Sequence, residues 1–363
     1  MQPSRRDFLK AGAAVSGLAA GGCSPGIVST LENIAHKVLD PSPAITAERI
    51  GPYIVNVGPT GSNADLQKAH IRWLGGSIDD FFSGQEDTRS SVKIHGTALN
   101  EAVMYGLEGG RRYKYCIAGR PYWFSTSGYP SDSKPSKIAF IGDTQHRSSI
   151  NRRLAKLMRM YGAELIVHLG DAAQNGADFS LCKRFINNIS EASSNAAMLI
   201  AMGNHAFDAE NMHTLFYFPG RAFSCTWGPI RFHVIDSSYF HENREKISFR
   251  LDRGIINILL SHYPPLCSRG VTSIEGILDY SGFDAVYSGH QHAYERFGEN
   301  SCVQVISGGG GGQLWGVGKD ERLVAGKSAF HFVMADAYRD RLECRVISHK
   351  NEIIDEFSIY SRG

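Results

Sequence analysis

The 363-residue sequence predicts an α/β fold preceded by a smaller all-β region. Three observations lead there. From residue 135 onward, short and continuously apolar runs alternate with amphipathic stretches, the texture of βαβ units whose strands are covered on both faces. From about 45 to 127 polarity roughly alternates along the chain instead, as in "AHIRWLG" and "SVKIHG". Between the two, "SGYPSDSKPSK" (127–137) is rich in Ser, Pro and Gly and reads as a boundary.

The amino terminus comes first. Ser4-Arg5-Arg6-Asp7-Phe8-Leu9-Lys10 is a twin-arginine block, followed by a weakly apolar Ala/Gly-rich run to Ala20, too short to span a bilayer. It resembles the export signal of the bacterial Tat route, which implies the Tat machinery as partner and a periplasmic or cell-envelope location. Ala20-Gly21-Gly22-Cys23 resembles a lipobox, which implies lipidation of Cys23 and contact with a membrane through that anchor; cleavage and secretion is the other outcome. Residues 1–22 are thus expected to be a signal and 23–44 a polar linker. Removing 1–22 takes away Arg5, Arg6, Lys10 and Asp7, a net +2 equal to the whole chain's formal charge. Without a basic excess, nucleic acid is not an expected partner. The six other cysteines are widely spaced with no C-x-x-C pair, which argues against a zinc-finger site and leaves disulfides or free thiols open.

Residues 45–130 are expected to form the β region. Leu107, a tight turn and then Tyr113 on a strand resemble the tyrosine corner of fibronectin type III-like sandwiches. Residues 135–363 form the α/β domain, with strands at "KIAFIG", "ELIVHLG", "AMLIAMG", "RFHVID", "IINILLSH" and "DAVYSG", and a helix over "SSINRRLAKLMRMYG".

Five of these strands deliver a polar residue at their carboxyl ends: Asp143, Asp171, Asn204-His205, His262, and His290 with His292. Four have a glycine just before, where the backbone must turn sharply. Ligands of open α/β sheets bind beyond strand carboxyl ends. Carboxylates, imidazoles and an amide oxygen suit borderline or hard cations, and the set is large enough for two.

The order GD, GD, GNH, SH, GHxH resembles the calcineurin-like metallophosphoesterase superfamily, and "GHQHAYER" with the preceding sandwich is most similar to purple acid phosphatases. "SCVQVISGGGGGQ" is similar to the glycine-rich strand exit of those enzymes. The resemblance implies a two-sheet αββα metallophosphoesterase sandwich behind a small all-β fibronectin type III-like sandwich. It implies two metal ions (Fe, Mn, Zn or Ca), with Asp143, Asp171 and His292 on one and Asp171, Asn204, His262 and His290 on the other. It implies hydrolysis of phosphomonoesters by a metal-bridging hydroxide, with His205 against the substrate phosphate.

Three departures are visible. Gln174 stands where purple acid phosphatases have a tyrosine, and Gln145, a neutral ligand at best, stands where the superfamily has a histidine. Ala206 follows "GNH" in place of an acid, with Asp208 two further on. No histidine follows in "YPPLCSRGVTSIEG" after His262. A phosphodiesterase, or a non-catalytic envelope lipoprotein that kept the fold, are the competing readings. Arg147, Arg269 and Arg296 flank the motif loops, as phosphate holders or as structural pairs. Gly308–Gly312 either approaches the ligand or is a flexible loop.

Overall fold

In the computed structural model, residues 49–60, 63–131, 134–206, 209–299 and 302–362 are described. The export signal, the linker, Cys23 and Asp208 lie outside the described residues. The strands of the first part are β1 (Ile50–Thr60), β2 (Asn63–Leu74), β3 (Phe81–Ser83), β4 (Asp87–Ile94), β5 (Thr97–Glu108), β6 (Arg112–Ile117) and β7 (Arg120–Ser125). They pair in the orders β1-β2-β5-β4 and β3-β6-β7. Numbered A to G these are the ABED and CFG sheets of a seven-stranded immunoglobulin-like sandwich, the class to which the fibronectin type III-like expectation belongs. Its corner is closed as the sequence implies: the Glu108 N–H donates to Tyr113 Oη at 2.7 Å, and Leu107 is fully buried.

The second part runs β8 (Ser136–Ile141), α1 (Ser148–Met160), β9 (Leu165–His168), α2 (Phe179–Ser193), β10 (Ala197–Ile200), α3 (Glu210–Leu215), β11 (Ala222–Trp227), β12 (Ile230–Ile235), α4 (Ser237–Asn243), β13 (Ile256–Ser261), β14 (Ala285–Ser288), β15 (Tyr294–Glu299), β16 (Cys302–Ser307), β17 (Leu323–Lys327), β18 (His331–Ala337), β19 (Arg341–Ser348) and β20 (Ile353–Tyr360). Two sheets result. One has the order β20-β19-β18-β8-β9-β10-β1-β2-β5-β4, the other β11-β12-β13-β14-β16-β15-β17. The sandwich is therefore no free-standing module: β1 joins β10 in parallel, Ile54 opposite Ala197, and one sheet crosses from the first part into the second.

The apolar runs explain the layering. Along β8, Ile138 and Phe140 point into the core between the sheets, while Ala139 and Ile141 pack with Leu154, Leu157 and Met158 of α1. Along β13, Ile258 and Leu260 face the inter-sheet core and Leu259 the outer core with Phe240 of α4. Period-two alternation with both faces covered gives the helix–sheet–sheet–helix stack. Phe140 and Tyr287 stack across the sheets with centroids 3.9 Å apart. The six described cysteines are free thiols. Among the described residues no helix is long and apolar enough to cross a membrane.

Candidate metal centre

β8, β9 and β10 run parallel in one sheet, and β13 and β14 in the other. Their carboxyl ends meet, so both sheets contribute. Asp143 follows β8, Asp171 follows β9, Asn204 and His205 sit on a 3-10 turn after β10, His262 directly follows β13, and His290 and His292 follow β14. Asp143, Gln145, Asp171 and His290 have positive φ (57°, 34°, 52° and 69°). Non-glycine residues rarely adopt this region, and such strain gathers at functional sites.

Asp171 is the hub. Its Oδ2 lies 3.3 Å from His262 Nε2 and 3.7 Å from His205 Nε2, and accepts from Gln145 Nε2 at 3.2 Å. Its Oδ1 accepts the His205 N–H at 3.0 Å. Asp143 Oδ2 accepts the His290 N–H at 3.0 Å; its buried Oδ1 has no hydrogen-bond partner and lies 3.4 Å from His292 Nε2. Ligand atoms of Asp143, Asp171 and His262 fall within 4.8 Å of one another. Asn204 Oδ1 is 2.9 Å from His262 Nε2, and the His290 ring lies 5.1 Å from that of His262.

Three imidazoles share one anchoring scheme. His205 Nδ1 donates to the Gln174 carbonyl (2.7 Å), His262 Nδ1 to that of Leu169 (2.9 Å), and His292 Nδ1 to that of Gln313 (2.8 Å). A carbonyl only accepts, so Nδ1 carries the proton and Nε2 is turned toward the carboxylates, the outer support typical of metal-binding histidines. Trp315 stacks on His292 at 4.6 Å. Neither these carbonyls nor Trp315 has a signal in the sequence.

Burial raises the Asp143 carboxyl above its ordinary range, and the charge of Asp171 adds to this. Burial pushes Asp171 the same way, but the charges of His262 and His205 hold it far below that range. Burial opposes charge on His262, yet Asp171 and Asp143 raise it to about 9. Burial lowers His290 to about 3. Two buried carboxylates held together by protonated imidazole, with an orphaned oxygen on Asp143, are a donor set that fits cations.

The glycine run is packed, not loose. Gly310 N donates to the Gly142 carbonyl (2.9 Å) and Gly312 N to that of Asp143 (2.7 Å). A side chain on Gly312 would meet His292 at 2.7 Å and Gln145 at 2.9 Å. Arg147 donates to the carbonyls of Gly311 and Gly312, Arg269 to that of Gly316, and Arg296 forks onto Asp355. These contacts are with protein groups and brace the fold. The Gln174 amide oxygen lies 2.8 Å from His146 Nδ1.

Residues 136–294 match the family model for calcineurin-like phosphoesterase, and residues 2–22 that for the twin-arginine translocation pathway signal. No curated protein matches the chain. A purple acid phosphatase from yellow lupin (Lupinus luteus) seeds superposes with a TM-score of 0.67 at 16% identity, over 86% of this chain and 74% of that one. PhoD superposes with 0.53 at 11% over 88% and 90%, and GAP50, the anchor in the inner membrane complex of Plasmodium, with 0.51 at 16% over 63% and 89%. At these identities the likeness is one of fold. Together with the strand-end constellation, the family match makes residues 136–294 a calcineurin-like phosphoesterase domain and the chain a phosphoester hydrolase, carried behind a signal for export across the cytoplasmic membrane.

Proposed function

We propose that the centre holds two divalent or trivalent cations and hydrolyses phosphomonoesters on the outer side of the cytoplasmic membrane. The supporting observation is the shared histidine scheme, with Nδ1 spent on backbone carbonyls and Nε2 turned onto Asp143 and Asp171. Asp143, His292, Gln145 and the shared Asp171 would hold one cation; Asp171, Asn204, His262 and His290 the other. Fe, Mn, Zn and Ca all accept such donors. Bound cations supply Lewis-acid charge for in-line displacement at phosphorus and acidify a water.

The chain's own residues do the rest. The strained turns at Asp143 and Asp171 fix the carboxylates before substrate arrives, so little reorganisation remains for the reaction. His205 is held by the Gln174 carbonyl beside Asp171 and keeps part of its ring exposed. As imidazolium its Nε2 donates to a phosphate oxygen or to the leaving oxygen. The sandwich domain and the likeness to the lupin phosphatase favour monoesters. A specific observation favours diesters as the second reading: no histidine follows His262 in its loop, so a leaving group must depart with less help. Gln145, which turns amide nitrogen toward Asp171 and His292, favours a non-catalytic role instead.

One experiment separates the three: metal content of the mature protein with hydrolysis of a chromogenic phosphomonoester and its diester, Asp171→Asn as control. Two ions and Asp171-dependent monoester turnover are expected. Preferred diester turnover selects the second reading; no turnover with Fe, Mn, Zn or Ca overturns hydrolysis. Lipidation at Cys23 predicts incorporation of labelled fatty acid that Cys23→Ser abolishes, and an unlabelled wild type overturns it.

A further inference from the structure

A cleft of about 630 Å³ lies where the sandwich meets the α/β layers, bounded by β7, residues 128–131 and 134–136, the end of α1 and the residues just before β9. Its volume is that of a ligand site. It is remote from the metal centre. Ser136 lines it at the first residue of β8, and Asp143 lies beyond the other end of that strand, roughly 20 Å away at about 3.3 Å per residue.

Its chemistry is distinctive. Arg112, Lys134 and Arg159 line it; all three are exposed, and among the described residues none of them is in an ion pair. Glu164 is a carboxylate on the wall, and its Oε2 already accepts from Ser136 Oγ and the Lys137 N–H. Two aromatic rings stand at the rim: Tyr129 is 81% exposed and Trp123 41%, burial that these side chains normally seek and here lack. The Arg112 guanidinium lies 5.0 Å over the Trp123 ring. That contact orients the cation but leaves its N–H groups free for an anion. Exposed cations beside flat rings that are still partly open to solvent suit a ligand that is both anionic and ring-bearing.

We propose that this cleft binds an anionic glycan, a sugar polymer carrying carboxylate or phosphate groups, and so docks the exported enzyme on envelope polymers. Sugar rings present apolar faces to Trp123 and Tyr129, and their anions meet Arg112, Lys134 and Arg159. Nucleic acid is disfavoured because the chain carries a signal for export.

The test uses the mature chain and a probe without phosphate, so that the metal centre cannot consume it. Oligogalacturonate is titrated calorimetrically beside a neutral galactan oligomer, inorganic polyphosphate and a single-stranded DNA oligonucleotide. Oligogalacturonate is expected to bind at least about tenfold more tightly than the other three, and more weakly as NaCl rises from about 0.05 to 0.5 M. Trp123→Ala, and Lys134→Glu with Arg159→Glu, are each expected to weaken it at least about tenfold. These exposed positions leave phosphoester kcat/KM unchanged. Equal binding of galactan, polyphosphate or DNA overturns the glycan assignment. No oligogalacturonate binding, or unaltered binding by the variants, overturns the site.

Discussion

Gln174 Oε1 lies 2.8 Å from His146 Nδ1, and both side chains are buried. The amide at the position of the family's tyrosine is thus spent inside the protein, while its backbone carbonyl holds His205. Gln174→Ala is expected to keep the metal stoichiometry and to leave kcat within a few-fold. It should lower unfolding stability by about 1–3 kcal/mol, because a buried polar partner is lost. Metal analysis and urea unfolding of the variant check both halves.

Metal uptake should release protons. His262 is raised to about 9, so the metal-free centre carries a proton on it at pH 7, and a cation must displace that proton. Apparent affinity is therefore expected to rise from pH 7 to 9, by at most about tenfold per unit for each proton released. Competition titrations with a chelator of known pH dependence read the slope; a flat profile would detach His262 from the metal.

Gly289 precedes His290 at the convergence of the two sheets. A Cβ there would stand 2.5 Å from Asp143 Oδ2 and 2.8 Å from the Leu169 carbonyl. Gly289→Ala is expected to cost about 1–3 kcal/mol and to reduce bound metal, because neither neighbour can retreat without moving a ligand or its anchor. Denaturant midpoints and metal per chain measure this, with exposed Gly84→Ala, where the backbone is unstrained and a Cβ meets nothing, as a control.

Acid should destabilise the fold through His331. It is fully buried behind the glycine run, donates Nδ1–H to the Ala329 carbonyl, and is lowered to about 4 by burial. An unfolded histidine titrates near 6.5. Between those values the unfolded chain binds the proton and the folded one does not. Stability is therefore full above about 6.5 and falls as pH drops toward 4, by up to about 3 kcal/mol. Urea midpoints from pH 7 to 4.5 should show the loss, reduced in His331→Gln. His168, buried and lowered to about 3, adds in the same direction.

The residues of the centre were legible because each stands at the carboxyl end of an apolar run, and strand ends gather at one edge of a sheet. The corner at Leu107 and Tyr113 was legible for a similar reason, as two side chains at fixed spacing. What holds the imidazoles was not. Their partners are the carbonyls of Leu169, Gln174 and Gln313, and a carbonyl is the same in every residue. Trp315 reaches His292 from a loop without periodicity. The five glycines could be read as mobile or packed, because the Gly142 and Asp143 carbonyls they bind are over 160 residues upstream. The addition of β1 to β10 was hidden as well, since an edge pairing rests on main-chain groups.

That pairing has a directional consequence. β1 runs parallel to β10, and β10 to β9 and β8, so Ile50 stands at the end of the sheet away from Asp143 and Asp171. Anything that holds the chain from ahead of residue 49 pulls on the floor of the molecule. The ligand-bearing ends of β8, β9 and β10 lie at the opposite edge, so such a pull enters the sheet at the end far from the metal centre.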